Sequence, residues 1–199
     1  MENIRTRMEV PMLNVHRRMI DASVDEIRPW IESAWTGTDR DIFPRDVIRS
    51  WRKNPPGIDP LALVPNVTRV GHGMFSFRFD SWDGTFWRVR VESKEHLGWH
   101  GFDLRPVGER TEITHTLEMD LKGKARVLWP ALMNPIHDWC VEAIFDRLEE
   151  ALRTGKIPAI SDRPMPLRTD AALRTLRALV NVRAGRRVER RTTRQSLDA

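Results

Sequence analysis

The stretch Arg110-Thr111-Glu112-Ile113-Thr114-His115-Thr116-Leu117-Glu118-Met119-Asp120-Leu121 alternates apolar and polar residues along its length. A period of two predicts a strand with one buried and one wet face. Ile113, His115, Leu117, Met119 and Leu121 share the inward face, and Thr114, Thr116, Glu118 and Asp120 the other. A preceding strand at about 97–105 joins it near Pro106-Val107-Gly108-Glu109. With that turn centred on 108–109, Leu104 falls opposite Ile113 and Phe102 opposite His115. His100, Phe102 and Leu104 then lie on the inner face, while Leu97 and Trp99 face outward, an awkward placement for large apolar side chains.

Working upstream, Trp87, Val89 and Val91 alternate with Arg88, Arg90 and Glu92, and Phe75, Phe77 and Phe79 alternate in the same way, with Asp83-Gly84 as the turn between them. Val67–Val70 reads as a short strand, with Gly71-His72-Gly73 a turn or bulge. Residues 12–20 read as a first strand. Ser23 followed by Glu26 is a capping-box signature for a helix running to about Ala34, with Ile27, Trp30, Ile31 and Ala34 on its buried face. The long segment 35–66 predicts one short helix over Arg45–Trp51, and its length suggests a lid. Downstream, a helix is expected from about Arg126 to Arg153, irregular near Pro130 and Pro135 and capped by Gly155. Its apolar face holds Leu132, Ile136, Trp139, Cys140, Ala143, Leu148, Ala151 and Leu152, and its wet side Glu142, Asp146, Arg147, Glu149, Glu150 and Arg153. Strands grouped apart from helices indicate an α+β domain, and only this helix is long enough to cover the apolar face of the sheet.

The net charge of +5 is unevenly distributed. Residues 154–199 hold 11 Lys and Arg against 4 Asp and Glu, a net of +7; the remainder holds 22 against 24, a net of −2. A basic footprint across the whole domain is therefore missing, and nucleic acid is not an expected partner. The single cysteine, Cys140, cannot form an internal disulfide, the N-terminal residues lack a signal-peptide core, and no apolar run reaches membrane-spanning length, so a cytoplasmic protein is expected.

The opening Val15–Ile27, the hairpin Gly101–Pro106 through Thr111–Glu118, and the closing Asp146–Leu152 together resemble the START-like superfamily, also called SRPBCC, of polyketide cyclase/dehydratase-like proteins and pollen-allergen-type carriers. The resemblance covers about residues 12–155. It implies a helix-grip fold, a curved antiparallel sheet wrapped around a long C-terminal helix, with a pocket between them for lipids, polyketides or similar apolar molecules. The chain departs from the allergen branch in lacking its glycine-rich loop and in the length of segment 35–66. The organisation expected is a lead-in at 1–11, the helix-grip domain at 12–155, and a basic tail at 156–199 carrying a short amphipathic helix at about 170–183.

Eight Trp and seven Phe without a single Tyr supply aromatic surface for such a pocket. The expected ligand-binding residues are Phe75, Phe77, Phe79, Trp87, Val89, His100, Phe102, His115, Leu117, Ile136, Trp139, Cys140 and Ala143. His115 is the candidate for proton transfer, since an imidazole titrates near neutrality; the plainer reading is a hydrogen-bonded core histidine. No cofactor is implied, and the histidines at 16, 72, 96, 100, 115 and 137 show no metal-site spacing. Three functions follow as alternatives: a carrier of a hydrophobic small molecule, a cyclase/dehydratase-type enzyme using the same cavity, and an interaction module. In the last, residues 170–194 would meet an anionic membrane surface or a protein partner.

Overall fold

The computed structural model describes residues 11–36, 38, 40–44, 47, 49–72, 75–92, 96–158 and 163–179. They divide into two compact units, one formed by residues up to 126 with 140–163, the other by 127–139 with 164 onward.

The first unit holds a seven-stranded antiparallel sheet. Its strands are β1 (Met12–Ile20), β2 (Ser50–Lys53), β3 (Arg69–His72), β4 (Phe75–Trp82), β5 (Phe86–Glu92), β6 (His96–Val107) and β7 (Arg110–Leu121), in the spatial order β1-β7-β6-β5-β4-β3-β2. Helix α1 (Val24–Glu32) separates β1 from β2. Ser23 accepts a hydrogen bond from the Glu26 N–H, and the Glu26 carboxylate accepts from the Ser23 N–H at 2.8 Å, completing the capping box. Helix α1 buries Ile27 and Ile31 but leaves Trp30 half-exposed, and it ends two residues short of Ala34.

The β6–β7 register is the expected one: Leu104 pairs with Ile113, Phe102 with His115 and His100 with Leu117. His100, Phe102 and Leu104 are buried, and Leu97 is 47% exposed. The outward Trp99 is not stranded, because the Arg88 guanidinium lies 4.6 Å over its ring. Gly101 lets β5 and β6 close up, since a Cβ at that position would run into the Trp87 carbonyl.

Two local expectations fail around segment 35–66. Of the helix expected over Arg45–Trp51, Arg45, Asp46 and Ile48 lie outside the described residues, while Ser50 and Trp51 belong to strand β2. Pairing decides this: Trp51 stands opposite Gly71 on β3, whose missing Cβ leaves room for the indole. Gly71 and His72 are accordingly strand residues rather than a turn, and β3 begins at Arg69 rather than Val67.

Helix α2 (Ala125–Leu128) and a π-helical turn (Trp129–Met133) precede α3 (Asn134–Thr154). Pro130 and Pro135, which cannot donate backbone hydrogen bonds, account for the broken start. Gly155, at φ +72°, caps α3 with its N–H on the Ala151 carbonyl at 2.8 Å. Within the first unit α3 buries Cys140, Val141, Ala143, Ile144, Phe145, Leu148 and Ala151. Arg147, expected on the wet side, is 2% exposed, and its Nε donates to the Ile42 carbonyl at 3.1 Å. Burying a guanidinium is costly unless its N–H groups find acceptors, and the Ile42 carbonyl is one of them.

In the second unit Trp129, Ile136 and Trp139 are buried. A helix, α4, spans 167–179 among the described residues and so begins three residues before the expected 170. The Thr169 hydroxyl donates to the Pro135 carbonyl at 3.1 Å, and the Trp139 indole donates to that of Pro164 at 3.3 Å. Ala172 and Leu173 are buried, whereas Leu179 is exposed. The expected membrane or partner contact at 170–194 falls mostly outside the described residues. Among those described, no helix is long and apolar enough to cross a membrane.

Candidate functional site

Strand parity directs one set of side chains to the inner face of the sheet. Phe77, Phe79, Trp87, Val89, His100, Phe102, His115 and Leu117 are all buried there, as the alternation predicts, and Phe75 is half-buried. Cys140 and Ala143 are buried on α3 in the same unit. Ile136 and Trp139 are also buried but belong to the other unit, so this unit's inner face is built without them.

Two imidazoles stand together in this apolar face. His100 Nδ1 lies 3.4 Å from His115 Nε2, with the rings 5.6 Å apart. Phe77 meets His100 edge-on at 4.7 Å, and Phe102 meets His115 edge-on at 4.9 Å. The pair comes from the register: His100 and His115 sit on neighbouring strands, two positions apart along the ladder, and both point inward. Adjacent histidines can pass a proton between them or hold a ligand oxygen.

Across β1 the same row continues. His16 is registered directly opposite His115, and its Nδ1 lies 2.9 Å from a Glu142 carboxylate oxygen on α3. Arg18 bonds Glu142, Asp146 and Glu149, while Arg163 reaches Asp146 at 2.6 Å. Burial works against the charged form of Asp146, but the hydrogen bonds from Arg163 and Arg18 outweigh it and hold its carboxyl below the ordinary value. This network clamps the edge strand to the helix. It also sets the Glu142 carboxylate against His16.

The residues that sequence reading missed lie in the long segment. Trp35, Ile42 and Phe43 are buried at 0%, 0% and 5% exposure, so these residues of the segment are packed into the core. The Trp35 ring is near-parallel to Trp87 (5.3 Å, 14°) and to His72 (5.2 Å, 18°), and it meets His100 at 5.6 Å. Arg52 holds the segment by donating to the carbonyls of Glu32 and Ala34, each at 3.0 Å, and to that of Leu61. Buried Asp41 accepts from the Phe43 N–H at 3.0 Å and from the Ser50 hydroxyl. No periodic signal marks Trp35, because it belongs to neither a helix nor a strand.

A separate groove of about 600 Å³ is lined by Pro29, Trp30, Arg40, Gly155, Lys156 and Ile157. It contains none of the expected ligand-binding residues.

No family model and no curated protein matches the chain. Solved structures do. The KanY protein, solved by NMR, is 9% identical with a TM-score of 0.52, over 73% of this chain and 99% of that one. A point mutant of norcoclaurine synthase from Thalictrum flavum, solved with a transition-state analogue, is 16% identical with a TM-score of 0.50, over 73% of this chain and 96% of that one. The fold is the helix-grip fold. At such identities the likeness concerns the fold alone.

Proposed function

We propose that the protein binds and carries a hydrophobic small molecule, a lipid, polyketide or similar compound, between the inner face of the sheet and α3. The observation that supports this best is the composition of that face. Aromatic and aliphatic side chains surround one polar pair, His100 and His115, which is the usual make-up of a small-molecule site. A carrier needs apolar walls for affinity and one or two polar groups for orientation, and the pair supplies the latter.

The same pair favours a second reading, an enzyme of the polyketide cyclase/dehydratase type in which His115 moves a proton on a bound chain. One solved neighbour is named a synthase, so the fold accommodates catalysis. Native mass spectrometry of the purified protein with organic extraction tests the carrier reading: a co-purifying apolar compound is expected. An empty protein with no affinity for a panel of apolar probes would sink it. Once a compound is in hand, His115→Ala separates the two readings. A carrier changes affinity with no turnover to lose, whereas an enzyme loses rate and keeps binding.

A further inference from the structure

The Trp35 indole occupies a slot with defined walls. Its two near-parallel neighbours, Trp87 on β5 and His72 on β3, lie on the strands either side of β4, at centroid distances of 5.3 Å and 5.2 Å. Phe77 of β4 meets it edge-on at 5.7 Å, and Phe43 closes in at 4.3 Å. Stacked and edge-on rings at these spacings suit a flat aromatic group and exclude a thick one.

The backbone that delivers the indole is in a costly conformation. Trp35 has φ +69°, the left-handed region that a bulky L-residue adopts only when its surroundings impose it. The indole N–H of Trp87, which stays in the wall when Trp35 leaves, is buried and has no hydrogen-bond partner among the described residues. A buried N–H without an acceptor calls for an explanation, and an occupant that brings an acceptor is one.

We propose that Trp35 is an internal stand-in for the ligand. The slot lined by Trp87 and His72 takes a planar aromatic ring bearing an oxygen acceptor, and Trp35 must swing out to admit it. The inference rests on the carrier reading and adds to it a ligand class and a gate. The latch of that gate is Arg52, which donates to the carbonyls of Glu32 and Ala34, on either side of Ser33 and immediately before Trp35. Affinity is reduced by the fraction of molecules in which the gate is shut, so loosening the latch tightens binding.

The test uses the full chain, with 2-naphthol as the planar probe and 1-adamantanol as a bulky control of comparable size. Binding is measured by calorimetry and by the indole N–H resonance of Trp35, assigned from Trp35→Phe. Arg52→Met leaves every slot wall intact and is expected to bind 2-naphthol at least tenfold more tightly than wild type. In wild type, 2-naphthol is expected to move the Trp35 resonance to a solvent-exposed position. If Trp35→Ala folds, it too is expected to prefer 2-naphthol over 1-adamantanol by at least tenfold. Equal affinity of wild type and Arg52→Met, with the Trp35 resonance unmoved by bound probe, overturns the gate while leaving the carrier reading standing. Equal affinity for the two probes overturns the planar slot. No binding of any apolar probe by any variant sinks the carrier reading, and the gate with it.

Discussion

Replacing Trp35 tests two forces at one position. A buried Trp side chain removes about 150–250 Å² from water, which at about 25 cal/mol per Å² corresponds to roughly 4–6 kcal/mol as an upper bound. Truncations of buried aromatic residues typically cost about 3–5 kcal/mol, and Trp35→Ala is expected in that range because its side chain is wholly enclosed. The backbone adds an effect of opposite kind. At φ +69° any L-residue bears a left-handed strain of roughly 1–2 kcal/mol, which glycine avoids at an entropic cost of about 0.5–1 kcal/mol. Trp35→Gly is therefore expected to be more stable than Trp35→Ala by about 0.5–1 kcal/mol, the reverse of the usual order within regular structure. Urea unfolding followed by far-UV circular dichroism measures both. With a slope of about 2 kcal/mol per M, Trp35→Ala should lower the midpoint by roughly 1.5–2.5 M. A loss below about 1 kcal/mol would show that the indole is not packed in the core. A glycine variant less stable than the alanine variant would refute the assigned backbone conformation.

Other perturbations read separate parts of the fold. Gly101→Ala forces a methyl group against the Trp87 carbonyl, and a loss of about 1–3 kcal/mol is expected by the same urea assay. Ser23→Ala removes the capping box of α1 and should cost about 1 kcal/mol, with the helix otherwise retained in the amide-exchange pattern. Asp146 has a depressed pKa in the folded state, so the stability it contributes is fully present above the unfolded carboxylate value, near 3.9, and is lost as pH falls through the lower folded value. Asp146→Asn should be less stable than wild type at pH 6, and the gap should shrink on acidification towards pH 2.5. A constant gap across that range would mean that Asp146 contributes packing rather than charge.

Much of the inner face was legible because a sheet repeats. Once residues 110–121 are read as a strand, parity alone sends Ile113, His115 and Leu117 to one side. A turn at 108–109 then pairs Leu104 with Ile113 and Phe102 with His115. The capping box at Ser23 and Glu26 and the stop at Gly155 were likewise readable, since both are set by hydrogen bonds within a few residues. Arg147 was misplaced for the complementary reason. Helical periodicity ranks residues by polarity, and a guanidinium scores as wet whatever it meets, whereas the Ile42 carbonyl that it meets lies 105 positions away in the chain. The strand at Ser50–Lys53 was hidden in the same way, because its pairing partner β3 decides its conformation against local helical spacing.

The sequence by itself determined the layering, the β6–β7 register and the inward side chains of strands β4 to β7, all consequences of short-range geometry repeated along regular elements. Only the tertiary structure decided what stands in front of that face. Trp35 reaches His72, Trp87 and His100 from a segment with no period, through a left-handed backbone that no local preference favours. Its position is held by Arg52 and by packing among residues far apart in the chain, and such contacts leave no repeating pattern in the sequence from which to read them.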